Sequence, residues 1–167
     1  PVPVFNPTVT KTNDGMAKNV SNNIEALGVS ISTITNPNSI RKVRYVDDKS
    51  NQLVLRVDEH DYCDRIENIL LSTIQNNECH IPFNGKRDFD AVIISDYDKG
   101  FLHEDDIKWI CENNNNVFVD TKKKLGHWIN EVDFLKINDL EYENNKHFFK
   151  NNSIIDKTII TRGREGC

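Results

Sequence analysis

The chain has 167 residues, 37% hydrophobic and 28% charged, with a formal net charge of −5. That length fits one domain with a core of useful size, and the acidic balance argues against non-specific nucleic-acid binding. No apolar run reaches the length of a membrane span and the opening residues carry no signal-peptide pattern, so no membrane partner is expected. Cys63, Cys79, Cys111 and Cys167 are scattered without a C-x-x-C pair. A zinc knuckle is therefore not expected, and free thiols suit a reducing, cytoplasmic setting.

Residues 1–12 open with Pro1-Val2-Pro3-Val4-Phe5, an extended edge segment by proline logic. A helix follows Asp14-Gly15, with Ala17, Val20, Ile24 and Leu27 on one face, Asp14 as N-cap and Gly28 closing the helix. Val29 to Thr33 reads as a short strand, and Asn36-Pro37-Asn38 breaks the chain. Residues 41–58 read as a β-hairpin. Val43, Tyr45, Leu53, Leu55 and Val57 alternate with polar residues, and Asp47 to Asn51 forms the turn. Residues 62–76 read as an amphipathic helix with Ile66, Ile69, Leu70 and Ile74 inward, followed by a loop from Asn77 to Lys86.

The pattern changes after residue 90. Ala91–Ile94, Val117–Val119, Phe134–Ile137 and Thr158–Ile160 are apolar or β-branched runs without alternation. Such runs predict strands buried on both faces, here over 91–95, 117–120, 134–137 and 158–161. Helical stretches are expected at 104–114, with Ile107, Ile110 and Cys111 inward, near 124–131 and near 140–149. This alternation is that of a parallel α/β sheet, whose ligands bind outside the carboxyl ends of the strands. Asn113 to Asn116 reads as a solvated loop or compositional bias. The chain stops at Cys167, directly after a strand and a turn, and so reads as part of a longer protein.

Polar chemistry concentrates where the apolar runs stop. Asp96 and Asp98 form D-x-D after a buried strand, the spacing of the aspartate-nucleophile phosphatases, and Thr161 could stand in for their second motif. Asp-rich turns have the same composition, and that reading is stronger. Asp120-Thr121-Lys122-Lys123-Lys124 sets three cations at a strand end. Lys122, nearest the strand, is the preferred phosphate partner, although such triplets often mark a solvated surface. Asn138 and Glu141 have the spacing of a capping box, and spacing alone favours that role over holding magnesium and phosphate. Gly163 and Gly166 form G-x-x-G after a strand, which is usually a turn but can admit a nucleotide to the backbone.

Taken in order, these segments resemble the ribokinase-like carbohydrate kinases of the PfkB type. Within them the likeness is greatest to the bacterial kinases of D-glycero-β-D-manno-heptose 7-phosphate. Pro1 to Val4 resembles a lid strand. Gly15-Met16-Ala17-Lys18-Asn19-Val20, running to Asn23-Ile24-Glu25-Ala26-Leu27-Gly28, resembles the sugar-side helix. Arg41–Arg44 with Gln52–Asp58 resembles the lid hairpin, and Ser95-Asp96-Tyr97-Asp98-Lys99-Gly100 resembles Ser-Asp-Tyr-x-Lys-Gly. Val119-Asp120-Thr121-Lys122 is similar to Val-Asp-Pro-Lys. Asn138 and Glu141 are similar to N-x-x-E, and Thr161-Arg162-Gly163 with Gly166 to Thr-Arg-Gly-x-x-Gly. The chain departs from the family at Met16 and Lys18, and a βα unit is missing between Thr35 and Arg41.

The resemblance implies a single partial ribokinase-like domain over 1–167, with lid segments 1–12 and 41–58. It implies transfer of the γ-phosphoryl of ATP to a sugar or sugar phosphate, with ATP and Mg²⁺ as cofactors and a homodimer through the lid. Gly15, Asn19, Asp96 and Lys99 would contact the sugar. Lys122, Asn138, Glu141, Thr161, Gly163 and Gly166 would contact the nucleotide, with Glu141 also serving the metal. The family's Gly-Ala-Gly-Asp motif, which supplies the anion hole and the base, is absent from these 167 residues. No catalytic residue is therefore assigned, and the chain alone is expected to be inactive. The competing expectation is a ribokinase-fold binding or assembly module without catalysis.

Overall fold

The computed structural model describes residues 4–66, 89–150 and 152–167. Residues 67–88 lie outside them, and with them most of the expected 62–76 helix, the 77–86 loop and Cys79. The chain divides into two compact units, 1–61 and 62–167.

In the first unit, helix α1 spans Gly15–Ala26. Asp14 holds the N-cap position without a side-chain bond, and the Gly15 N–H is taken instead by the Asn13 amide oxygen at 3.3 Å. Ala17, Val20 and Ile24 are half-buried as the periodicity predicts, but Leu27 is exposed. The buried residue of this helix is Ser21, whose hydroxyl lies 2.7 Å from that of Thr33. Val29 to Thr33 forms no strand, contrary to expectation, and neither do residues 4–12. Each segment lacks a neighbouring strand to pair with, and β-branched residues alone do not make a ladder. Phe5 packs against Tyr45 at 5.4 Å.

Strands β1 (Arg41–Val46) and β2 (Leu53–Glu59) pair antiparallel, with Val43 opposite Val57 and Tyr45 opposite Leu55. The turn forms as predicted. The Asp47 carboxylate accepts the Ser50 N–H and hydroxyl at 2.7 and 2.6 Å, and Asn51 adopts φ +58°. Arg56 and Lys42 both bond Asp58. Its carboxyl pKa is held down to about 2, chiefly by the Arg56 hydrogen bond.

In the second unit, strands β3 (Val92–Asp96), β4 (Val117–Thr121), β5 (Phe134–Asn138) and β6 (Thr158–Thr161) form one parallel sheet in sequential order. Helix α2 (Glu104–Asn113) follows β3 and helix α3 (Asp139–Phe149) follows β5. The expected helix near 124–131 is a single 3₁₀ turn, His127–Ile129, and a second 3₁₀ segment, Ser153–Lys157, leads into β6.

The strands are not buried on both faces. Ile94, Val117, Val119, Leu135 and Ile137 point into a core with Ile107, Ile110 and Cys111 of α2, Trp128 and Ile129, and Phe149 of α3. Ile93, Phe118, Phe134 and Ile159 are exposed on the other face, where Phe118 stacks on Phe134 at 4.4 Å. Consecutive strands joined by crossovers of one hand place every connection on the same side. Among the described residues of the second unit, the helices and 3₁₀ turn pack on the first face only.

The asparagine run does structural work. Asn113 and Asn114 donate to the Trp109 and Ile110 carbonyls at 2.8 Å each, and Asn116 donates to Asp90 O at 2.9 Å. The first two bonds add side-chain donors to carbonyls in the last turns of α2. No helix among the described residues is long and apolar enough to cross a membrane.

Candidate functional site

The carboxyl ends of β3 and β4 meet in a closed polar knot. Asp96 ends β3 opposite Thr121, the last residue of β4, and both side chains share the parity of the packed face. Asp96 is 6% exposed. The Thr121 hydroxyl donates to one carboxylate oxygen at 2.8 Å, and the Asp98 N–H donates to the other at 3.2 Å. The Lys123 ammonium lies 3.4 Å from Asp96 and 2.5 Å from Asp98. The Lys123 N–H returns to the Thr121 hydroxyl at 3.1 Å. Burial pulls the Lys123 pKa down, but the Asp98 and Asp96 carboxylates outweigh it and leave the value above that of a free lysine. The two buried charged groups are offset by each other and by the Thr121 hydroxyl, the Asp98 N–H and the half-exposed Asp98 carboxylate.

The next two strand ends continue the row. Asn138 ends β5 and caps α3, its amide oxygen accepting the Glu141 N–H at 2.9 Å. A Glu141 carboxylate oxygen accepts the Asn138 N–H at 2.8 Å, completing the capping box that the spacing predicts. The other oxygen accepts the Lys122 ammonium. Burial pushes the Glu141 carboxyl up, yet Lys122 and the Asn138 N–H hold it below the ordinary range. Lys122 ends above its ordinary value for the reciprocal reason, Glu141 overcoming desolvation. The Lys122 N–H donates to the Asp96 carbonyl at 3.1 Å, which ties this pair to the knot. Lys136 bonds Asp120 at 2.9 Å, and Arg162 lies 3.5 Å from Asp139.

Thr161 ends β6 opposite Asn138 and donates to the Ile137 carbonyl at 3.3 Å. Gly163 and Gly166 follow at φ +57° and +87°, and the Arg162 N–H closes their turn onto Gly166 O at 2.7 Å. The Lys99 carbonyl accepts the Cys63 N–H at 2.9 Å. Gly15 and Asn19 belong to the first unit, where Asn19 is exposed and its carbonyl accepts the Asn23 amide at 2.8 Å.

The structure thus joins Asp96, Lys122, Asn138, Glu141 and Thr161 along one set of strand ends. It also adds Thr121 and Lys123, which sequence reasoning did not single out. Thr121 was legible in principle, since Asp96 and Thr121 are the last inward positions of consecutive strands. Lys123 was not, because the triplet shows no sign of which lysine turns inward.

The hard oxygen donors of Glu141, Asp120 and Asn138 suit Mg²⁺, which commonly binds through one or two carboxylates plus substrate phosphates. No group of three or more His, Cys, Asp or Glu residues placed to cage a metal occurs among the described residues. These donor oxygens are engaged by Lys122, Lys136 and the capping-box N–H groups, so a metal would have to displace those partners. Of the buried polar side-chain atoms without a partner, Asn36 Oδ1 and Trp128 Nε1, neither belongs to this row.

No family model, curated protein or solved structure matches the chain. The architecture defines an α/β protein with a four-stranded parallel sheet and a two-stranded antiparallel hairpin.

Proposed function

We propose that the chain is that of a PfkB-type carbohydrate kinase, transferring the γ-phosphoryl of ATP to a hydroxyl of a sugar or sugar phosphate, a heptose phosphate being the favoured substrate. The supporting observation is the row of paired charges along the carboxyl ends of β3, β4 and β5, where a parallel sheet offers its crevice. Phosphoryl transfer asks mainly for positioning and charge stabilisation, and Mg²⁺, when bound, neutralises the phosphates. In this reading Lys122 exchanges Glu141 for a phosphate oxygen, and Glu141 with Asn138 then faces the metal. Thr161, Gly163 and Gly166 line the nucleotide side. Asp96 and Lys99 border the sugar end of the row. In this reading the enzyme is cytoplasmic and the hairpin is a dimer contact.

Two other readings compete. As a phosphatase nucleophile, Asp96 would need an oxygen presented to the crevice, and both of its oxygens are engaged in a buried knot. As a binding or assembly module, the chain would keep the row and lack turnover.

The test is sugar-dependent ADP release, with Mg·ADP binding measured alongside. It is run on this chain and on the chain extended at both ends along its reading frame. The kinase reading expects turnover from the extended protein and binding without turnover from the 167 residues. Binding without turnover in both supports the module, and no nucleotide binding in either overturns the kinase reading.

A further inference from the structure

A second polar cleft lies away from the strand carboxyl ends. It is a half-open depression of about 370 Å³ lined by His127, Asn130, Asn152, Ser153, Ile154 and Lys157. Residues 127–130 lead into β5, and Ser153–Lys157 leads into β6. The cleft therefore sits at the amino-terminal ends of those strands, a strand length of about 17 Å from the charged row. It is independent of the kinase reading.

Five of the six lining residues carry hydrogen-bonding side chains, two of them a histidine and a lysine, and none is acidic. An anion there would meet no lining carboxylate, although Glu131 and Asp156 flank lining residues in sequence. The cleft is also partly built. The Asn152 amide nitrogen donates to Asn130 Oδ1 at 2.7 Å, while its oxygen accepts the Ile154 N–H at 3.0 Å. Those two bonds set the Asn130 amide so that its nitrogen remains a donor. Lys157 reaches the Val132 carbonyl at 3.4 Å, which leaves two of its three ammonium protons for another acceptor.

We propose that this cleft binds the phosphate group of a small molecule, with Lys157 and His127 supplying charge-assisted hydrogen bonds and Asn130 and Ser153 neutral ones. Donors from four side chains on two segments suit an acceptor with three or four oxygens better than a two-oxygen carboxylate. The volume leaves room for a small body attached to the phosphate.

The experiment is a ¹H–¹⁵N NMR titration of the 167-residue chain with inorganic phosphate, at constant ionic strength balanced by chloride. Acetate is titrated in parallel. Saturable shifts confined to residues 127–130 and 152–157 are expected, with acetate weaker. Lys157→Met and His127→Gln should each weaken phosphate by roughly tenfold, the effect of losing one charge-assisted hydrogen bond. Both residues are exposed, so the remaining spectrum should stay unchanged. Shifts that never saturate, or that persist in the double variant, would overturn the site. Acetate binding as tightly as phosphate would overturn the phosphate assignment.

Discussion

The Lys123 ammonium lies 3.4 Å from Asp96 with only 8% and 3% of the two side chains exposed, whereas its neighbour Lys122 is 39% exposed on Glu141. Adjacent lysines thus differ in kind. Removing the cation from a buried pair strands its partner's charge, which costs about 3 kcal/mol, while exposed pairs contribute less than about 1 kcal/mol. Lys123→Met should therefore lower unfolding stability by about 3 kcal/mol and Lys122→Met by less, because Lys122 is 39% exposed although its partner Glu141 is only 18% exposed. Urea unfolding of both variants gives the comparison. Equal losses would refute the division.

The capping box at α3 makes a separate expectation. Asn138→Ala and Glu141→Ala should each cost about 1 kcal/mol. Because each bond holds the other's donor in place, the double variant should lose less than the sum of the two. A strictly additive cycle would mean that the reciprocal bonds act independently.

Acid and alkali should act on opposite halves of the charged row. Glu141 is depressed from its ordinary 4.5, so its contribution is present above that value and is lost as pH falls through the folded pKa. Lys122 and Lys123 are raised from 10.5, so theirs is present below 10.5 and is lost as pH rises through the folded values. Stability should be flat with respect to these groups between those limits. In Glu141→Gln the acid-side loss should shrink, and thermal midpoints across pH provide the measurement.

Gly100 has φ +100°, and a Cβ there would lie 2.8 Å from the Cys63 carbonyl oxygen. The turn after β3 thus needs glycine for both backbone angle and space. Gly100→Ala should cost about 3 kcal/mol, combining strain with a displaced backbone contact. A variant as stable as the parent in chemical denaturation would refute that close approach.

The two faces of the sheet should respond differently to truncation. Leu135→Ala removes a side chain with no exposure and should cost about 2–5 kcal/mol. Ile93→Ala, at 51% exposure, should cost less than about 1 kcal/mol. A large loss at Ile93 would show that its face is covered in solution.

The sequence by itself determined the four strands and the two α-helices described in the second unit, while the helix expected near 124–131 is a 3₁₀ turn. Apolar runs ending in Ser95-Asp96, Asp120-Thr121 and Asn138-Asp139 were enough to read parallel strands with polar carboxyl ends. The capping box was legible because Asn138 and Glu141 interact across one helical turn, a local relation that needs no tertiary partner. The hairpin was legible for a similar reason, its turn being closed by Asp47 and Ser50. Val29 to Thr33 was misread because strand formation depends on a neighbour that local pattern does not show.

Only the tertiary structure decided which face of the sheet is buried. Residues of both parities are apolar in Val92–Ile94 and Val117–Val119, so their pattern holds no information about sidedness. Sidedness came from the connections, which place α2, the 3₁₀ turn and α3 against Ile94, Val119 and Leu135 and leave Ile93, Phe118 and Phe134 open. It also decided between Lys122 and Lys123. Composition cannot separate adjacent lysines, but the parity that turns Thr121 onto Asp96 brings Lys123 back over the same carboxylate and leaves Lys122 for Glu141.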